Sequence, residues 1–233
     1  MDRHDIVYFV KEDKTNEELR YSLRSVERNF PHAKIWFYGG APEGIKPDES
    51  VRLVQANNEK YRNVSSMLTM AFKNDEISED FWIFNDDFFI MKPIKHYEPH
   101  YDGDLYRLIV KIENNVGEKA SRYTHILRST VNLLEQNDFQ IKNYETHTPL
   151  LVNRKKGLFI KEQFGNDKAF RSLYGNFWNI GGEDRPDVKA ANPSDSFYKD
   201  SELLSTSDIN FSAGDIGEFI RNKFPDKSRF EEI

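Results

Sequence analysis

Phe81-Trp82-Ile83-Phe84-Asn85-Asp86-Asp87-Phe88-Phe89 reads as a buried strand that breaks into a polar turn and delivers two carboxylates at its carboxyl end. That is the edge at which open α/β sheets place their ligands. Adjacent carboxylates repel each other, and keeping both ionised beside an apolar strand is costly unless a cation or several hydrogen-bond donors compensate. A divalent cation such as Mg²⁺ or Mn²⁺, held by hard oxygens and completed by a substrate phosphate, meets that cost. An Asx-rich turn after a strand is the other reading of the same residues.

Upstream, Ile6-Val7-Tyr8-Phe9-Val10 has the continuous β-branched and aromatic character of a strand covered on both faces. Thr15-Asn16-Glu17-Glu18 fits a capping box, and Leu19, Leu23, Val26 and Phe30 follow at helical spacing. Arg20, Arg24 and Arg28 form a basic stripe on the same helix, which is either a solvated face or a contact for an anionic ligand. Pro31 ends the helix, Ile35 to Tyr38 is a strand stopped by Gly39-Gly40, and Val51 to Val54 is a short third strand. Asn63 then precedes a helix with Val64, Met67, Leu68, Ala71 and Phe72 on one face. The order β-α-β-β-α-β predicts an α/β fold with a mostly parallel, Rossmann-like sheet and flanking helices. Neither G-x-G-x-x-G nor G-x-x-x-x-G-K-[ST] occurs, which removes dinucleotide dehydrogenases and P-loop ATPases and favours metal-bridged phosphate binding.

The rest of the chain is less regular. Leu105 to Ile112 is expected as a strand, Ser121 to Glu135 as a helix, and residues 152–164 and 167–178 as two more helices. Tyr144-Glu145-Thr146-His147-Thr148-Pro149 is a polar turn whose proline keeps the preceding residue extended. His147 there is either a base or ligand, or a solvated loop histidine. Gly181 to Pro193 is a loop, read equally as a lid or a surface connection. Ser212-Ala213-Gly214-Asp215 is expected to cap a last helix that ends at Phe224-Pro225.

Composition narrows the classes. Hydrophobic residues at 38% with 18 Phe and 11 Tyr suffice for a core in a single domain of 233 residues, which is expected as a regular α/β half (1–95) and a more helical half (96–233). A polar start and the absence of a long apolar run predict no membrane span and a cytoplasmic location. Zero cysteines exclude disulfides and thiolate chemistry. A net charge of −6 weighs against an extended nucleic-acid surface and is compatible with small anionic substrates bound with metal help.

Four separated pieces then match one pattern in order. Glu18-Leu19-Arg20-Tyr21-Ser22-Leu23-Arg24-Ser25-Val26-Glu27, Phe81 to Asp87, His147-Thr148-Pro149, and Phe224-Pro225-Asp226-Lys227-Ser228-Arg229-Phe230-Glu231 resemble the characteristic regions of the Stealth family. These are sugar-phosphate transferases of capsule synthesis and lysosomal-enzyme tagging. The resemblance implies a GT-A-like sheet, a nucleotide-diphosphate-sugar donor of UDP or CMP type, a hydroxyl-bearing acceptor such as a glycan, and a divalent cation. It implies Asp86 and Asp87, with Asp208 from a Ser207-Asp208 pair, as metal residues. His147, Asp86 and Arg171 are implied as catalytic, and Tyr8, Arg24, Arg62, Asn63 and Asn85 are expected on the nucleotide sugar. Two departures stand out. Tyr8-Phe9-Val10-Lys11-Glu12-Asp13 replaces the family's Trp-Val-Asn-Gly continuation of the first strand, and Ser207 replaces an Asn. They leave both sugar transfer and sugar-phosphate transfer open.

Either chemistry needs a cation for the leaving phosphate and, for attack on phosphorus or with inversion at carbon, a base for the acceptor hydroxyl. Two other classes compete with a transferase: a phosphate-ester hydrolase or phosphotransferase using the same carboxylates without a sugar donor, and a non-catalytic nucleotide-sugar-binding domain.

Overall fold

The computed structural model describes residues 1–55, 60–116, 122–191 and 197–232. Ser121 and Pro193, which bound an expected helix and an expected loop, lie outside them. In chain order the elements are β1 (Asp5–Val10), α1 (Glu17–Asn29), β2 (Ile35–Gly39), β3 (Glu49–Arg52), α2 (Lys60–Lys73), β4 (Asp80–Phe84), β5 (Phe88–Ile90), β6 (His100–Tyr101), α3 (Leu105–Val116) and α4 (Arg122–Gln136). They continue with β7 (Leu150–Asn153), α5 (Arg154–Phe164), α6 (Phe170–Phe177), β8 (Glu183–Asp184), β9 (Lys189–Ala190), a 3₁₀ turn (Phe197–Lys199), β10 (Leu203–Thr206), α7 (Asp208–Ala213) and α8 (Asp215–Lys223).

The fold is mixed α/β. Its main sheet has the order β3-β2-β1-β4-β7, with β3, β2, β1 and β4 all parallel and β7 antiparallel against β4. Every residue of β1 and β2 is buried, as a parallel strand covered on both faces requires. Gly39 ends β2 at φ 112, and a Cβ there would stand 2.2 Å from the Val10 carbonyl oxygen, so the turn at this edge needs glycine. A three-stranded sheet, β5-β10-β9, and a two-residue pairing of β6 with β8 complete the strands.

The chain divides into two compact units. One comprises Met1–Tyr97, His147–Arg154 and Val188–Ile233, and the other Glu98–Thr146 and Lys155–Asp187. The expected division at residue 95 falls close to the first boundary, but the chain returns to the first unit at His147 and again at Val188. The second unit is mostly helical, with α3, α4, α5 and α6.

In the first unit α1 buries Leu19, Leu23 and Val26 against the sheet, contacts worth roughly 1.5–3 kcal/mol each. Its cap is Asn16 rather than the expected Thr15: the Asn16 side chain accepts from Leu19 N at 2.9 Å. The arginine stripe is solvated in part: Arg28 is exposed and the Arg20 side chain is 40% exposed, whereas Arg24 is largely buried and paired within the protein. Arg24 makes a bidentate pair with Glu231 (both contacts 2.7 Å) and donates to the Phe224 and Pro225 carbonyls, while Arg28 donates to the Lys223 carbonyl. The first and last of the four resembling blocks therefore dock on each other.

Four other expectations change. Residues 105–112 are helical, because Leu105, Leu108, Ile109 and Ile112 recur at helix spacing and Asp104 accepts from Arg107 N at 2.8 Å as a cap. Residues 152–153 belong to β7, which pairs with β4. The third strand runs from Glu49 to Arg52, and Val54 is exposed. The last helix has Gly214 as its cap residue, with no side-chain cap, and is preceded by α7, capped by Ser207. No described helix is long and apolar enough to cross a membrane.

Candidate active site

The turn between β4 and β5 sits at the carboxyl edge of the parallel strands, where β1 and β4 run side by side. Phe88 N closes it by donating to the Asn85 carbonyl at 3.3 Å. What fixes its position is α1. Ser22 Oγ donates to the Phe88 carbonyl, Ser25 Oγ accepts from Ile90 N at 2.9 Å, and Asn29 Nδ2 donates to the Ile90 carbonyl at 2.6 Å. The serines of the Leu19 to Ser25 block thus hold β5, and through it the Asp86-Asp87 turn.

Asp86 Oδ2 accepts from Asn16 Nδ2 at 2.7 Å, so one side chain caps α1 and grips the carboxylate together. Burial and then the neighbouring Asp87 raise the Asp86 pKa, against the lowering effects of Asn16 and of Lys60 in the first turn of α2. Asp87 Oδ2 accepts from Lys189 Nζ at 2.5 Å and from Ser205 Oγ at 3.0 Å. Its other oxygen, Oδ1, is buried with no hydrogen-bond partner among the described residues. A buried, charged and unpartnered oxygen is expensive, and it is the atom at this edge that asks for a cation or donor.

Glu18, expected only as the far end of a capping box, joins this cluster. Thr206 Oγ1 donates to its Oε1 at 2.7 Å. Burial pushes its pKa up to about 7, helped by the charges of Asp87, Asp86 and Asp208 and opposed by the Thr206 bond. Because the folded value lies above the ordinary 4.5, the stability this group contributes is full below about pH 4.5 and is lost as pH rises through 7. Glu18→Gln is expected to flatten that slope and to gain about 1–2 kcal/mol at pH 8, after discounting for the solvent that reaches a half-buried carboxyl. Urea denaturation at pH 5 and pH 8 checks it; an unchanged pH slope in the variant contradicts the assignment.

Asp208 opens α7 and is exposed. Among the described residues no three of His, Asp or Glu converge as a metal-holding group, although the charges of Asp86, Asp87 and Asp208 all reach Glu18. Asp86 and Asp87 by themselves still fit a hard cation. Mg²⁺ commonly takes one or two carboxylates and completes its shell with water and substrate phosphate, and Asp87 Oδ1 is the unsatisfied oxygen such an ion would use.

His147 lies in the same unit, directly before β7, with its ring edge-on to Phe88 at 6.4 Å between centroids. Phe88 follows Asp87 in the chain, so the histidine packs on the first residue of the strand that leaves the carboxylate turn. Tyr97 Oη donates to the Pro149 carbonyl at 2.6 Å and anchors this segment. Arg171 belongs to the second unit, where its Nε donates to the Tyr144 carbonyl at 3.0 Å.

The expected donor residues separate. Asn85 is half-buried in the turn, and Arg62 and Asn63 are in the first turn of α2, Arg62 exposed. Tyr8 has no exposed surface: its hydroxyl meets Ser22 Oγ at 2.9 Å and its ring packs on Phe37 and Phe84. It is a core residue and faces no ligand. Arg24, spent on Glu231, lies six residues beyond Glu18, or about 9 Å farther along the helix axis. Sequence reasoning missed Asn16, Glu18, Lys60, Lys189 and Thr206. Asn16 and Glu18 had a signal, two polar residues opening a helix after the first strand; Lys189 and Thr206 had none, because the contacts that reveal them are far apart in sequence.

No family model matches the chain, and no curated protein matches its sequence. Similar solved structures include a galactosyltransferase, LgtC, in complex with donor and acceptor sugar analogues: 11% identity over 96% of both chains, TM-score 0.49. The apo glycosyltransferase GlyE of Streptococcus pneumoniae TIGR4 is 10% identical over 95% of this chain and 60% of its own, TM-score 0.46. A glycosyltransferase involved in the glycosylation of the major capsid of PBCV-1 is 10% identical over 95% of this chain and 98% of its own, TM-score 0.42. The architecture rests on the strand order and registers described above.

Proposed function

We propose that the chain is a transferase that takes a nucleotide-diphosphate sugar as donor and passes the sugar, or the sugar phosphate, to an acceptor hydroxyl. The observation that carries the reading is the Asp86-Asp87 turn at the carboxyl edge of the parallel sheet, with Asp87 Oδ1 buried and without a hydrogen-bond partner among the described residues, and His147 packed edge-on to the Phe88 ring that follows the turn. The four Stealth-like blocks, met in order along the chain, support the sugar-phosphate form and a GT-A-like assignment for the sheet.

In this reading Asp86 and Asp87 hold a Mg²⁺ or Mn²⁺ ion. When bound, such an ion supplies positive charge to the leaving phosphate as negative charge develops there. The protein's own residues do the rest. Asn16 fixes the Asp86 carboxylate by its 2.7 Å bond, and Ser205 and Lys189 fix Asp87, so the acidic pair is set before donor arrives. Lys60 adds positive potential beside Asp86. The His147 imidazole takes the proton of the acceptor hydroxyl, and Phe88 limits the ring's motion by edge-on packing.

A donor screen tests the reading. UDP- and CMP-type sugars are expected to raise the melting temperature with Mn²⁺ or Mg²⁺ and to be turned over with a simple hydroxyl acceptor. His147→Ala is expected to lower turnover by about 10²–10⁴-fold while leaving donor binding in place. If no nucleotide sugar binds in the presence of metal, or if simple phosphate esters are hydrolysed without one, the transferase reading fails.

A further inference from the structure

The carboxylate turn already has a cation on it. Lys189 Nζ contacts Asp87 Oδ2 and the Thr206 carbonyl oxygen, both at 2.5 Å. Its side chain is 24% exposed and that of Asp87 15%, so the pair is neither a solvated surface contact nor sealed off. Ser205 Oγ shares the same Asp87 oxygen. Lys189 comes from β9, which pairs in parallel with β10 so that Lys189 lies opposite Ser205. The backbone ladder thus sets where the lysine starts, and Asp87 Oδ2 and the Thr206 carbonyl hold its ammonium.

We propose that Lys189 is a built-in counter-ion that competes with a divalent cation for Asp87, and so sets how tightly the free protein binds metal. A divalent ion on Asp87 gains from the full carboxylate charge; an ammonium in contact with Oδ2 cancels most of that charge at short range, where attraction between unit charges is strongest. The two cations also repel each other. The ion thus binds weakly to the free protein. A donor diphosphate, by adding negative charge at the same edge, restores the attraction; this last consequence rests on the transferase reading, whereas the competition itself does not.

The test is titration of Mn²⁺ alone, with no nucleotide sugar, into the full chain, followed by calorimetry and by the loss of free-Mn²⁺ paramagnetic resonance signal. Lys189→Met is expected to bind Mn²⁺ about tenfold more tightly than the unmodified protein, or better, because the competing charge is gone. The gain is expected to vanish in the double variant Lys189→Met, Asp87→Asn. If Lys189→Met does not unfold cooperatively, Lys189→Gln replaces it, keeping a donor for the Thr206 carbonyl while removing the charge. Equal Mn²⁺ affinity with and without the ammonium, including no binding by either, overturns the proposal, as does a gain that persists without the Asp87 charge. A lysine that merely anchors β9 would lower the melting temperature without raising metal affinity. Since no sugar donor is present, failure of the donor screen leaves this comparison intact, and failure of this comparison leaves the donor screen intact.

Discussion

Glu231→Ala is expected to cost about 3–5 kcal/mol of folding stability, because it strands a buried guanidinium. The Arg24 side chain is 9% exposed and that of Glu231 2%. Burial alone would push the Glu231 carboxyl up; the Arg24 hydrogen bonds and the Ser228 N–H overcome it and hold its pKa below the ordinary value, while Arg24 is raised in turn, first by its bond to Glu231. Ser228 N donates to Glu231 Oε1 at 2.9 Å, so truncation also frees a buried amide. The sign with pH follows: a depressed carboxylate contributes stability above its ordinary value of 4.5 and loses it as pH falls through the folded value. Chemical denaturation at neutral pH measures the loss. The double variant Arg24→Met, Glu231→Leu should recover most of it, since two apolar side chains leave no charge unpaired. A loss below about 1 kcal/mol in Glu231→Ala would mean that the pair behaves as a surface ion pair.

That pair also shows where sequence reading stopped. The elements up to Phe84 were legible in kind and order, though not in every boundary, because each announces itself locally: continuous apolar strands, helices with apolar residues every three or four, and a glycine where β2 must turn. Leu105 to Ile112 was misread because its apolar residues are dense enough to suggest a strand. The exposure of Val110 at 55% beside buried Leu105 and Ile109 shows the helical face that density concealed. β7 and β10 were missed because a four-residue strand is defined by its partner rather than by its own pattern. Arg24 looked like an anion ligand because its neighbours say nothing of Glu231, 207 positions away. Likewise Lys189 is separated from Asp87 by 102 positions and Thr206 from Glu18 by 188. The Asn-Asp-Asp turn was visible because its meaning is local, an acidic pair ending an apolar strand; the side chains that tune it were not.

Asp87→Asn should separate the charge of the turn from its shape. The amide is nearly isosteric, and its oxygen still accepts from Ser205 Oγ and Lys189 Nζ, so the β5-β10-β9 sheet keeps its contacts. The orphaned Oδ1 position would then carry an NH₂ with no acceptor among the described residues, which costs about 1–3 kcal/mol. Lys189, partly exposed and still bonded to the Thr206 carbonyl, keeps a partner for its charge. Under the proposed transferase reading the catalytic loss is far larger than the structural one. Removing the carboxylate charge that would hold the cation opposite the leaving phosphate lowers turnover by about 10²–10³-fold, or about 2.7–4 kcal/mol in the barrier. The readout is turnover at saturating donor over a range of Mn²⁺, with the melting temperature measured on the same preparation. Asp86→Asn sharpens the comparison, since in the free protein the Asp86 carboxylate is gripped by the Asn16 amide and that of Asp87 by the Lys189 ammonium. Loss of activity in Asp87→Asn with a native melting transition assigns the effect to charge. Turnover within threefold of the parent would place the reacting phosphate elsewhere in the molecule.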